Sequence, residues 1–264
     1  MKTVGFLALG AALAGLAAAD DFAKLDEALP SGIDISSIYP VFDIDTDSCL
    51  FSAGVSRAGV QNGGLKPSGS LTGSCRNSEF LSLSNLYHRY ACLESSGVTY
   101  CGHFFSIYAL KDQILNGIES GHRHDWEKVI LWTEDGTVTY GSYSAHSGVG
   151  TAAASEIPQT SDGRLKFVYH KDGVLTHCFR FAKSDEGDDD AENPSGSWFT
   201  PTIVSWYTMV GDSVTNAQLR SDLNSYDYGS ANFPQTDSIF LGKLNEFKPD
   251  SFPTFTQDSV DNSQ

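Results

Sequence analysis

Gly121-His122-Arg123-His124-Asp125-Trp126-Glu127-Lys128-Val129-Ile130-Leu131-Trp132 leads into the turn Glu134-Asp135-Gly136 and then into Thr137 to Tyr143. The run from Trp126 to Trp132 is apolar and carries β-branched residues, and an Asp-Gly turn after it signals a β-hairpin. Working outward, Leu165 to His170 and Leu175 to Phe181 flank the turn Lys171-Asp172-Gly173 and form a second hairpin. Ile203 to Tyr207 is a further strand. Upstream, Thr99 to Tyr108 is an aromatic and β-branched run bounded by Gly and Ser, and residues 20–75 read as loops with short strands. The period changes near the C-terminus. Val214 to Leu223 has helical spacing, and Asp237 is placed to cap a helix whose apolar positions are Ile239, Phe240, Leu244 and Phe247. Pro249 and Pro253 forbid its continuation. Many short strands with few helices make the fold mainly β: a single-domain β-sandwich with peripheral α-helices.

Lys2, the apolar run Phe6 to Leu16 and the small residues Ala17-Ala18-Ala19 have the layout of a signal peptide, residues 1–19, leaving 20–264 as one domain. The apolar run is shorter than the roughly 20 residues of a bilayer span. Secretion places the five cysteines, Cys49, Cys75, Cys92, Cys101 and Cys178, where disulfides persist, and an odd number leaves at least one outside an intrachain pair. A formal charge of -16 repels phosphate backbones, which argues against nucleic acid as a partner, and attracts cations. The acidic stretch within Ser184 to Ser197 lies between strand-like segments and reads as a surface loop. Asn193 is followed by proline, so no N-glycosylation acceptor is present.

Four side chains within residues 122–127 can bind a metal: His122, His124, Asp125 and Glu127. At the start of a strand, Asp125 and Glu127 share a face. Two carboxylates there repel unless a cation or proton lies between them. Gly121 lets the loop turn so that His122 can reach the same point. Asp112, at the end of the preceding strand-like segment, could add a third carboxylate. Three carboxylates and one imidazole suit magnesium or calcium better than zinc. The competing reading is an exposed hydrogen-bond network that holds no metal. Trp126 and Trp132 share a strand face and read as core.

Gly121 to Glu127 resembles the Gly-His-Arg-His-Asp-Trp-Glu heptapeptide of the necrosis- and ethylene-inducing peptide-like proteins. The resemblance continues through Gly63-Gly64-Leu65-Lys66-Pro67-Ser68-Gly69, Cys75-Arg76, Lys111-Asp112-Gln113, Tyr169-His170-Lys171-Asp172-Gly173 with His177, and Tyr228-Gly229-x-Ala231-Asn232-x-Pro234. It departs at Tyr39-Pro40-Val41-Phe42-Asp43, where the family's early Gly-Cys-x-Pro-x-Pro segment is degenerate and Cys49 is displaced. The resemblance implies a sandwich similar to actinoporins and fungal fruit-body lectins. It implies a divalent cation, magnesium or calcium, at Asp112, His122, Asp125 and Glu127. It also implies binding to plant glycosylinositol phosphorylceramide sphingolipids at the outer plasma membrane surface, followed by membrane damage. Alongside it, the expected disulfides are Cys49–Cys75 and Cys92–Cys101.

The expected function is therefore a secreted, extracellular, metal-dependent cytolysin that binds lipid sugar head groups without enzymatic chemistry, with His124 and Trp198 as further ligand contacts. Two alternatives stand beside it. One is a metal-assisted glycan hydrolase with Asp125 or Glu127 as base. The other is a non-cytolytic homologue that plant immune receptors recognise.

Overall fold

The computed structural model describes residues 22–146 and 148–264; the signal-peptide expectation for residues 1–19 lies outside them. Ten strands are described: β1 (Val41–Ile44), β2 (Phe51–Ser52), β3 (Asn85–Ser95), β4 (Val98–Gln113), β5 (Gly121–Glu134), β6 (Thr137–Ala145), β7 (Gly148–Ala153), β8 (Lys166–Lys171), β9 (His177–Phe181) and β10 (Thr202–Ser205). The helices are α1 (Phe80–Leu83), α2 (Asn216–Ser225), α3 (Phe240–Phe247) and α4 (Gln257–Asp261). A three-stranded sheet in the order β1-β8-β9 packs against a seven-stranded one in the order β10-β3-β4-β5-β6-β7, with β2 beside β4. β1 and β10 pair in parallel with β8 and β3, and the other pairings between strands are antiparallel.

β5 explains why the architecture has three layers. Its Val129 and Leu131 join Phe105 and Ile107 of β4 in a core shared with Phe42, Phe167, Tyr169 and Phe179 of the small sheet. Its Ile130 and Trp132 point the other way, into a second core with Phe240, Leu244 and Phe247 of α3 and with Phe252 and Phe255. A sheet covered on both faces needs continuous rather than alternating hydrophobicity. That accounts for the apolar runs in β4 and β5. Trp126 and Trp132 are both core, at 5% and 0% exposure. Truncating a buried tryptophan of this kind costs about 3–5 kcal/mol.

The β5–β6 hairpin turns through Asp135 and Gly136, both at positive φ (48° and 79°), the two-residue turn that matches strand twist. Both expected disulfides are formed, Cys49–Cys75 and Cys92–Cys101, the latter between directly opposed residues of β3 and β4, and Cys178 is free and buried. The acidic loop after β9 is tied down. Arg180 clasps Glu186, Lys166 pairs with Asp188 at 2.7 Å, and buried Asp43 accepts from the backbone of Glu192 and Asn193.

Two helix details differ from expectation. α2 starts two residues later than Val214, where the Thr215 hydroxyl accepts from Gln218 N–H at 3.3 Å. Asp237 does not cap α3, whose first turn closes on the carbonyl of Thr236. Its carboxylate instead pairs at 2.8 Å with Arg89, a cation on β3 with 3% side-chain exposure that needs a counter-charge. α3 ends at Phe247, as Pro249 requires. The strand expected from Leu175 begins only at His177, because Asp172 to Thr176 form the turn.

Candidate functional site

The site sits where β4 and β5 part. Gln113 pairs with Gly121, and Gly121 has φ +88°, with an added Cβ placed 2.1 Å from the Asp112 carbonyl oxygen. Only glycine fits there. Three residues on, His124 also lies in the left-handed region, at φ +62°. One residue of that geometry interrupts the side-chain alternation of a strand. His122 and Asp125, three apart, consequently converge on one spot. Glu127 follows on the cleft side by ordinary alternation, opposite Ile107.

Oxygen and nitrogen atoms of Asp112, His122 and Asp125 all lie within 4.8 Å of one another. Asp112 is 1% exposed and Asp125 3%. Asp112 accepts from the backbone N–H of His177 at 3.0 Å and is 2.7 Å from its Nδ1. The Tyr169 hydroxyl donates to Asp125 at 2.5 Å. His122 Nδ1 lies 2.7 Å from the His124 carbonyl, and Nε2 faces Asp112 at 3.7 Å. Glu127 lines the same cleft, with its carboxylate accepting from the Ser144 hydroxyl.

Electrostatically the site is short of positive charge. Burial first, then the neighbouring charge of Asp112, push the Asp125 carboxyl up; burial and Asp125 do the same to Glu127. His177 is raised although burial opposes it, because Asp112 accepts from it. A hard divalent cation relieves this repulsion, and an oxygen-rich donor set with one imidazole is chemistry that magnesium or calcium accepts. The residues therefore fit the ion. They line an open cleft of about 250 Å³ whose outer wall includes Ser144, His146, Thr176 and Asn232.

Two residues expected as ligand contacts are elsewhere. His124 is turned to the opposite side, where its Nδ1 meets the Tyr108 hydroxyl at 2.6 Å and its ring meets Tyr228 edge-on. Burial, then the charge of Arg123, push it down to about 4. Trp198 lies over the Lys166 ammonium at 4.6 Å and donates from its indole N–H to the Gly187 carbonyl at 2.8 Å, outside the cleft. Conversely, Tyr169 and His177 belong to the site, and the sequence offers them only within a block that resembles the family, with no role assigned. The hairpin that carries them was legible, but nothing local in it announces contact with Asp112 and Asp125 in the other sheet.

The sequence profile described as necrosis inducing protein (NPP1) matches residues 35–247. The necrosis-inducing protein NPP1 of Phytophthora nicotianae is 31% identical over 208 residues, covering 75% of this chain and 76% of that protein. The solved structure of NLPPya in complex with mannosamine is 26% identical with a TM-score of 0.65, covering 90% of this chain and 98% of that one. That of non-toxic HaNLP3 reaches a TM-score of 0.68 at 24% identity, covering 88% and 100%, and supports the fold alone. The family match, the sandwich and the placement of the heptapeptide agree: this chain belongs to the necrosis-inducing protein (NPP1) family of NLP effectors and toxins.

Proposed function

We propose that the protein is secreted and acts at the outer face of plant plasma membranes, where it binds the sugar head groups of glycosylinositol phosphorylceramide sphingolipids and damages the bilayer. The observation that carries this reading is the convergence of two buried carboxylates and an imidazole at the floor of an open cleft. A divalent cation held by Asp112, His122, Asp125 and Glu127, magnesium or calcium, would supply coordination positions that sugar hydroxyls can share. His177 and Tyr169 orient the two aspartates, and Ser144 holds Glu127. The relative NLPPya was solved with mannosamine and with glucosamine, which supports a sugar as the ligand.

Beside the cleft, the β4–β5 and β8–β9 hairpin tips expose Leu115, Ile118, Val174 and Leu175, apolar side chains suited to a lipid surface. We read the cleft as a site of binding rather than bond-breaking, with its carboxylates assigned to the ion and oriented by His177, Tyr169 and Ser144. HaNLP3, described as non-toxic, shares the fold, so the sandwich by itself does not confer lysis.

Dye leakage from vesicles containing plant glycosylinositol phosphorylceramide tests the proposal. Leakage that requires the sphingolipid and stops with a chelator is expected. Chelator-insensitive leakage, or equal leakage without the sphingolipid, would refute it.

A further inference from the structure

The free cysteine has no part in the reading above, and its surroundings are specific. Cys178 opposes His170 across β8 and β9, with its sulfur 3.7 Å from His170 Nε2. Ligand atoms of His146, Asp172 and Cys178 lie within 4.8 Å of one another, and His146 Nε2 is 3.1 Å from an Asp172 oxygen. We propose that His146, Asp172 and Cys178 form a second metal site, for a zinc-class ion, with His170 beside the sulfur and outside the ligand group.

Three features support this. The donor set is mixed thiolate, imidazole and carboxylate, which selects a borderline-soft ion rather than magnesium or calcium. Ligands of a tetrahedral zinc, bonded at about 2.0–2.3 Å, stand about 3.3–3.8 Å apart. The 3.1 Å separation of His146 Nε2 from Asp172 is already close to that spacing, and the Cys178 sulfur lies within 4.8 Å of both. Both imidazoles are also held by groups outside the cluster. His170 Nδ1 lies 3.1 Å from the Lys171 carbonyl, and His146 Nδ1 lies 3.0 Å from the Thr176 hydroxyl. A carbonyl can only accept, so His170 carries its proton on Nδ1 and presents the Nε2 lone pair to the cysteine. In His146 the Nε2–H donates to the Asp172 carboxylate and Nδ1 accepts from the Thr176 hydroxyl, so an entering ion would move the proton to Nδ1, where Thr176 can accept it. Partners of this kind orient histidine ligands in metal sites.

Occupancy would release the Cys178 thiol proton to solvent. It would also clamp the β8–β9 turn to the end of β6. The site shares only the cleft wall with the carboxylate cluster, through His146 and Thr176, and uses none of its four acid and imidazole ligands. The inference therefore stands or falls separately from the function proposed above.

The test is a cobalt(II) titration of the intact, disulfide-bonded protein, followed by absorption, with zinc displacement afterwards. The expected result is one equivalent bound with a sulfur-to-cobalt charge-transfer band. Zinc should abolish the band, and Cys178→Ser should lose it. Thr176→Val should weaken binding about 10–100-fold, and Asp112→Asn should leave the band in place. Should Cys178→Ser fail to fold, the exposed substitution His146→Ala is expected to shift cobalt affinity by a similar margin. Binding without a sulfur band, or a band that survives both Cys178→Ser and His146→Ala, overturns the proposal. So does cobalt uptake that only Asp112→Asn removes.

Discussion

Two of the places where the molecule buries titratable side chains do so in opposite senses. In the cleft, carboxylates are packed together so that burial and mutual repulsion raise Asp125 and Glu127. In the large sheet, His88 and His103 stack 5.5 Å apart, both fully buried, with His88 Nδ1 2.6 Å from the Ser205 hydroxyl and Nε2 3.2 Å from His103 Nδ1. Burial pushes His103 down to about 3 and His88 well down. The histidine pair meets the low dielectric by staying neutral. The carboxylates open onto a cleft, where a cation can meet the same demand. A buried ionisable group therefore marks a binding site only when its charge is left for something outside the chain to neutralise.

Substitutions can break this contrast at either end. Asp125→Ala should have the largest effect: at least about a 100-fold loss of cation-dependent leakage, over 2.7 kcal/mol, because it deletes a direct ligand. The melting temperature of the cation-free protein should change little, because the relief of repulsion is offset by the buried Tyr169 hydroxyl losing its acceptor. A folded variant that lyses vesicles as well as the parent would contradict the site. His177→Ala should lower divalent-ion affinity about 10–100-fold by calorimetry, since it frees one side of Asp112. An unchanged affinity would reduce His177 to packing.

At the histidine pair the effect is on stability. His103 titrates near 6.5 when unfolded and at about 3 when folded, so the unfolded state takes up the extra proton between those values. Above about pH 6.5 both states are neutral and the pair costs nothing. As pH falls below that, stability drops by about 1.4 kcal/mol per pH unit for this group. His103→Gln should reduce the pH slope of denaturant unfolding by that amount between about pH 6 and 4, and an unchanged slope would contradict its buried neutrality. The smallest effect belongs to Trp198→Ala, which should leave divalent-ion affinity within about twofold, because that indole packs on Lys166 outside the cleft.

What the sequence made legible follows the range of the forces involved. β5, its Asp-Gly turn and the helix stopped by Pro249 are local, and their residue types announce them. The pairing of Asp125 with Glu127 follows from strand alternation. The convergence of His122 depended on a left-handed residue at His124, a position where glycine is more usual, so the histidine read as a ligand acts as a hinge. The partners of the aspartates come from the other sheet, His177 being 65 residues from Asp112. No periodicity encodes that distance. Asp237 shows the reverse failure: its local role as a cap gave way to a tertiary charge, Arg89.

The most direct test is calorimetric titration of the metal-free protein with magnesium and with calcium, alongside Asp125→Ala. One divalent ion per chain, bound by the parent and not by the variant, is the expected result. No uptake by the parent at millimolar ion, or equal uptake by both proteins, would contradict the cation site on which the proposed function rests.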